Sequence, residues 1–236
     1  MGLERHEMVN NNMSAIRMVS QPGQKTANWL GKKACLTAVC LSMTSAVANS
    51  AQGLEVTTST APLVSIATHD AFFASIKALC GKAFGGKVTL DNHGPSSMDE
   101  QPLVMHVRRC SEQQLQIPFH VGEDASRTWI ISKTGSGLSL KHDHRHADGS
   151  HAESTMYGGH TLDAGWPQVQ SFPADQYSKE LFVSSGIPQS SSNIWQVFIY
   201  PEIFSYRLIR EGREFRVDFD LTTEVPAPAA PWGYQD

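Results

Sequence analysis

From Lys87 onward, apolar residues recur at every second position and turn residues punctuate the chain every eight to twelve positions, the rhythm of antiparallel strands. Leu115, Ile117, Phe119 and Val121 alternate with Gln116, Pro118 and His120, so one face is buried and the other is wetter, and Pro118 suits an edge or a bulge. Residues 127–133 form the next strand, and Gly135-Ser136-Gly137 turns it back into 138–146. A strand over 194–200 precedes the clearest hairpin. There Phe204, Tyr206 and Leu208 run into Glu211-Gly212, and Phe215, Val217, Phe219 and Leu221 return with Glu214, Arg216, Asp218 and Asp220 on the other face. About nine or ten strands in meander order predict a mainly β fold, an up-and-down antiparallel β-barrel of the lipocalin-like kind; a β-sandwich is the alternative, because both share this alternation.

The period differs before Lys87. Phe72, Phe73, Ile76, Leu79 and Cys80 recur at helical spacing after Thr68, a cap candidate, with Gly81 as a stop. One N-terminal helix is expected, its apolar face lying on or plugging something hydrophobic, and no second helix is convincing. The stretch 184–193 is dense in Ser, Gly and Pro and reads as a loop. From Pro226, with Pro228 and Pro231, the chain is extended because proline cannot join a central strand.

Ahead of the helix, Lys32 and Lys33 precede an apolar run of roughly 13 residues that ends in Ala46-Val47-Ala48, the order of an export signal with its small-residue cleavage site. The run is shorter than the ~20 residues of a permanent bilayer span. The expected organisation is a cleaved signal peptide over 1–48, a flexible lead-in over 49–66, a single β-rich domain over 67–225 and a Pro-rich tail over 226–236. Localisation is then periplasmic or secreted, with no stable membrane span after cleavage. Neither Cys35 nor Cys40 has the neighbours that lipidation needs.

Of the 19 Lys and Arg and the 23 Asp and Glu in the chain, five and two precede residue 49, which leaves 14 against 21. A net negative mature chain with no basic run excludes a nucleic-acid binder, which needs a basic face. Cys80 and Cys110 are the only cysteines after the signal, and in an oxidising compartment the pair reads as one disulfide; two buried free thiols are the other possibility.

The segment Leu138-Ser139-Leu140-Lys141-His142-Asp143-His144-Arg145-His146 is the most unusual in the chain. Strand pleating puts Leu138, Leu140, His142, His144 and His146 on one face, toward the interior or its mouth, and Lys141, Asp143 and Arg145 on the other, in water. With a turn at Asp148-Gly149, residues 153–157 return as a partner strand that sets His146 opposite His151, His144 opposite Glu153 and His142 opposite Thr155. His142, His144, His146, His151 and Glu153 are therefore candidate ligands for zinc or another divalent metal, with His160 and His120 as outsiders. Two plainer readings stand beside this one: a solvated histidine-rich surface, and interior histidines satisfied by hydrogen bonds without a metal.

Other motifs add little. His151-Ala152-Glu153 matches half of a zinc-deaminase signature, but its cysteine half is missing. No nucleophile elbow, phosphate-binding glycine loop or His-Glu-x-x-His is present. Glu123, Asp124 and Arg127 form a mixed-charge cluster suited to a barrel rim or simply to solvent. Trp129, Trp166 and Trp195 read as packing residues. Gly158-Gly159 marks either a close backbone approach to a ligand or a bulge.

The run from Lys141 to His146 with Asp148-Gly149, followed by Tyr157-Gly158-Gly159 and Phe172-Pro173-Ala174-Asp175, resembles a family of uncharacterised secreted bacterial proteins; the likeness extends to 212–221 and 230–233. The resemblance implies export and a shared fold and carries no mechanism. The leading functional expectation is a barrel whose cavity, lined by Leu138, Leu140, Phe204, Tyr206, Phe215, Val217 and Phe219, accepts a small apolar ligand, with a metal at its histidine end. The alternatives are a metal-dependent enzyme in which Glu153 or Asp143 acts as the base, and a structural or interaction protein. The oligomeric state is not legible.

Overall fold

The computed structural model describes residues 65–235. The signal expected over 1–48, and the lead-in as far as residue 64, lie outside the described residues. Helix α1 (Ala67–Lys77) leads into β1 (Ala83–Asp91), β2 (Leu103–His106), β3 (Arg109–Cys110), β4 (Gln114–Val121), β5 (Asp124–Thr134), β6 (Gly137–His144) and β7 (Tyr157–His160). Then come β8 (Val169–Pro173), helix α2 (Gln176–Ser184), β9 (Ile194–Tyr200), β10 (Ile203–Arg210) and β11 (Arg213–Val225).

These strands form one antiparallel sheet in the order β7-β6-β5-β4-β2-β1-β11-β10-β9-β8, with β3 against β4. Strands adjacent in sequence are adjacent in space, and the first strand pairs with the last, Ala83 facing Val225 and Val88 facing Val217. The sheet therefore curls into a nearly closed up-and-down barrel, as the alternation predicts, and not into two facing sheets.

What nearly closes it is the junction of β7 with β8. A single bridge joins Gly159 to Ala174, and the Asp175 N–H donates to the Gly158 carbonyl at 3.0 Å. The backbones approach so closely that side chains are excluded: a Cβ on Gly159 would stand 1.9 Å from the Pro173 carbonyl oxygen, and one on Gly158 would stand 1.8 Å from that of Leu140. The paired glycines serve strand packing.

Helix α2, which the alternation does not predict, covers this seam. Asp175 caps it by accepting from the Ser178 N–H at 2.9 Å, and the fully buried Ser178 hydroxyl accepts from the Gly158 N–H at 2.7 Å. Lys141 of β6 pairs with the same Asp175. Phe182 turns inward against Tyr157. The remainder of the expected loop holds a short 3-10 turn, Pro188–Ser192.

At one end of the barrel, Phe72, Phe73 and Ile76 of α1 are buried in the same core as Leu115, Ile117, Ile131, Leu138 and Phe172. The helix is thus a plug at the end where β5 turns into β6. Thr68 does not cap it: the helix begins at Ala67 after Ile66, and the Thr68 hydroxyl donates to the Ala164 carbonyl. Cys80 and Cys110 are joined as the expected disulfide, tying the chain after the plug to β3. Its 30-residue separation corresponds to roughly 3–4 kcal/mol in the chain-entropy account.

On the outer face, Glu214, Arg216 and Asp218 alternate with buried Phe215, Val217 and Phe219. A membrane-spanning barrel has the reverse arrangement, an apolar band facing outward. Among the described residues, no helix is long and apolar enough to cross a membrane.

Gly159→Ala is expected to destabilise the barrel by more than about 4 kcal/mol, or to prevent folding, because backbone atoms cannot move aside as a flexible side chain would. Gly212→Ala, where an added Cβ meets nothing within 4 Å, is the comparison for glycine loss at an open turn with positive φ. Urea denaturation of both variants measures the difference.

Candidate functional site

The pleat of β6 continues inward from Leu138 and Leu140 to His142, which is 3% exposed, and to the half-buried His144. Strand pairing places the inward residues of β5 beside them, Trp129 opposite His142 and Arg127 opposite His144. These four side chains lie at the barrel end opposite α1. They help line a cavity of about 220 Å³, together with Tyr157, Tyr206, Phe119 and Phe215, under a rim of Asp91, Arg213 and the 96–98 loop.

Aromatic packing builds the walls. Trp129 stacks on Phe119 at 5.0 Å and on Tyr206 at 4.6 Å, and His142 stacks on Tyr157 at 4.6 Å. The floor is polar but uncharged. His142 Nδ1 lies 3.1 Å from the Tyr157 carbonyl, which can only accept, so Nδ1 carries the proton. Nε2 must then accept from the Tyr206 hydroxyl at 2.8 Å. His144 Nε2 and the Tyr157 hydroxyl form a second pair at 3.2 Å.

Burial fixes the protonation state of both rings. Desolvation, reinforced by the neighbouring His144, lowers His142 to about 3; desolvation and the Arg127 charge lower His144 to about 4. Burial also raises Tyr157 to about 12 and Tyr206 well above its ordinary value. The floor is therefore neutral hydroxyl and imidazole throughout the physiological range.

Charge is confined to the mouth. Arg213 is held in a two-point contact: its Nη1 donates to Asp91 Oδ1 at 2.5 Å and its Nη2 to Asp91 Oδ2 at 3.0 Å, while Nη1 also reaches the Glu214 carbonyl. Arg127 makes one hydrogen bond among the described residues, from Nη1 to Asp124 Oδ2 at 2.6 Å.

The expected metal set is not brought together. β6 ends at His144, so His146 lies beyond it with a side chain 52% exposed, 3.8 Å from a Glu153 that is 94% exposed. The expected pairing is also displaced by two residues: Tyr157, not Thr155, stands opposite His142. The physical cause is a loop before β7, where Met156 takes positive φ and the Thr155 hydroxyl replaces a backbone carbonyl as acceptor for the His144 N–H. His151 stands on the outer side, 3.3 Å from Asp143. His160 sits near Asp175, and His120 lies on β4 opposite Val104. Among the described residues, no three His, Cys, Asp or Glu side chains gather around one point where an ion would be held.

The expected cavity lining needs correction as well. Only Tyr206 and Phe215 of that set line the cavity; Leu138, Leu140, Phe204, Val217 and Phe219 are each at most 1% exposed and fill the barrel below it. Phe119, Arg127, Trp129 and Tyr157 were missing from the expected lining. For Arg127 and Trp129 the signal was present, since 127, 129 and 131 share one face of a strand.

Asp143 departs most from expectation. It points outward yet is only 1% exposed, because the C-terminal tail lies over it. The Tyr234 hydroxyl donates to Asp143 Oδ2 at 2.5 Å, Arg145 Nε donates to the same oxygen at 2.9 Å, and the Arg145 guanidinium stacks on the Tyr234 ring at 4.9 Å. The Trp232 N–H donates to the Ala125 carbonyl at 3.1 Å. Burial alone would raise the Asp143 carboxyl; hydrogen bonds from Tyr234 and Arg145, with the charges of Arg145 and His151, outweigh burial and hold it below its ordinary value. The distinctive histidine run is thus a two-sided device: its even-numbered imidazoles build a cavity floor, and its odd-numbered charges clasp the tail. Neither Asp143 nor Glu153, the two expected bases, faces the cavity.

No family model, no curated protein and no solved structure matches the chain. The fold and the site by themselves define a disulfide-linked barrel with one small, aromatic-walled cavity at its open end. A disulfide fits an oxidising, extracytoplasmic compartment.

Two outcomes are expected. The unfolded chain protonates its histidines near 6.5 whereas the folded chain does so only near 3 and 4, so stability is complete above about pH 6.5 and declines as the pH falls toward 4. His144→Gln should flatten that decline in thermal melts between pH 7 and 4.5. Tyr234→Phe removes a hydrogen bond to a buried carboxylate and should cost about 1.5 kcal/mol in urea denaturation. It should also make the tail after Pro226 cleavable by limited proteolysis.

Proposed function

We propose that this is an exported binding protein whose barrel holds one small, ring-sized ligand in the cavity above His142 and Tyr206. The supporting observation is the cavity's composition: stacked aromatic walls over a floor whose polar groups are neutral and already hydrogen-bonded to one another. Such a floor costs little to cover with an apolar ring, because no bare charge is buried and no imidazole is left without its partner. An apolar cavity of about 150 Å³ suffices for benzene, whereas drug-sized ligands take about 300–1,000 Å³. At about 220 Å³, the space suits one ring with a short substituent.

Export, to the periplasm or outside the cell, is supported by the segment over 1–48 and the Cys80–Cys110 disulfide. Membership of the secreted family that the 141–149 motif resembles is part of the same proposal. That motif supplies both the cavity floor and the tail clasp, so the resemblance would preserve both together.

Native mass spectrometry of protein recovered from its own host should show an organic ligand at one per chain. Leu208 also lines the cavity, and Leu208→Trp, which fills it from that wall, should remove the ligand with little change in melting temperature. A spectrum without ligand, together with no chemical-shift change at the Trp129 indole on adding millimolar benzyl alcohol, would defeat the binding reading.

A further inference from the structure

Arg127 distinguishes this cavity from a simple apolar pocket. Four charged groups stand at or near its mouth, and three of them are accounted for. Asp91 receives both terminal nitrogens of Arg213 in a two-point contact, so each cancels the other, and Arg213 spends further donors on Asn92 and the Glu214 carbonyl. Asp124 lies outside the cavity lining and accepts from the Ser126 N–H and from one nitrogen of Arg127. That leaves the Nε and Nη2 donors of Arg127 with no acceptor among the described residues.

The position of Arg127 makes those donors useful. It is an inward residue of β5, two positions before Trp129 and directly across from His144. Its charge is felt by both His144 and Tyr157, lowering the first and opposing the rise of the second. The arginine lines the same cavity as this polar pair, across from His144, while its side chain remains 26% exposed. A guanidinium with two adjacent free N–H groups is the side chain best shaped to take a planar carboxylate. Arg127 lines the same cavity as Trp129 and Tyr206, so a ring held there has this guanidinium within the same space.

We infer that the ligand class is a small aromatic monocarboxylate, its ring on the Trp129–Tyr206 wall and its carboxylate on Arg127. This deepens the binding reading above and rests on it. The neutral floor fits the assignment: His142 and His144 stay unprotonated and add no competing cation, so the anion is drawn to the mouth and the ring to the interior. Specificity then has two parts. The cavity limits the size of the ring, and Arg127 selects the charged substituent over a neutral one of similar shape.

The probes are benzoate and benzyl alcohol, titrated into the disulfide-bonded protein by calorimetry or by the Trp129 indole resonance. Wild type should bind benzoate at least tenfold more tightly than benzyl alcohol, with the preference weakening as salt is raised. Arg127→Met should lose at least tenfold for benzoate and leave benzyl alcohol unchanged. Because Arg127→Met also frees Asp124, Asp124→Asn is the second variant: it keeps the arginine, removes its counter-charge and should tighten benzoate several-fold. Equal binding of both probes by wild type overturns the carboxylate assignment while leaving a ring-binding cavity in place. Binding of neither probe overturns the cavity reading itself, and loss of both probes in Arg127→Met with an unchanged melting temperature overturns the role of Arg127.

Discussion

The structure depends on how closely three backbones approach at Gly158 and Gly159. An up-and-down meander leaves its two halves to be joined, and here the joint is made by one bridge and one further hydrogen bond, with α2 laid over it. A side chain at either glycine would push the strands apart. If they separated, β7 would lose its place beside β6, and with it the Tyr157 carbonyl and ring that fix the tautomer and plane of His142. The cavity floor and the closure of the barrel thus rest on the same few atoms.

Strand pleating gives β6 two separate tasks. The inward imidazoles sit where desolvation is strongest, which keeps them neutral, and each finds a tyrosine hydroxyl as its hydrogen-bond partner. The outward charges sit where solvent would ordinarily screen them, and the tail that buries Asp143 brings the Tyr234 hydroxyl to it as a donor beside Arg145 of the same run. A buried carboxylate with three donors, Tyr234, Arg145 and Thr155, and a nearby histidine is tolerable, whereas an unpaired one would not be. This explains how a segment so rich in titratable groups lies within a well-packed wall.

The two arginines at the mouth illustrate how the same residue type takes different roles through its partners. Arg213 is locked by Asp91 and braces the turn between β10 and β11. Arg127 has a single-point contact and faces the cavity. The distinction rests on the count and direction of hydrogen bonds, and sequence spacing says nothing about it.

The barrel was legible because alternation with period two ran through nearly every segment from Lys87 to Leu221, and because a pleated strand can bury only one face. The inward direction of His142 was legible for the same reason, as were the plug residues Phe72, Phe73 and Ile76 and the disulfide between the only two cysteines after residue 48. What sequence could not supply was register. At the turn His151 pairs with Arg145 and not with His146, and the extra residues taken up before β7 moved Glu153 away from the imidazoles and brought Tyr157 to them; local pattern does not record such displacements. Nor did it record that Tyr234, 91 positions beyond Asp143, folds back onto it, or that Leu140 and Phe219 fill the barrel while Tyr206 and Phe215 border the cavity. Alternation assigns each side chain to a face; only the packed tertiary structure decides which of the inward faces meet one another and which leave room.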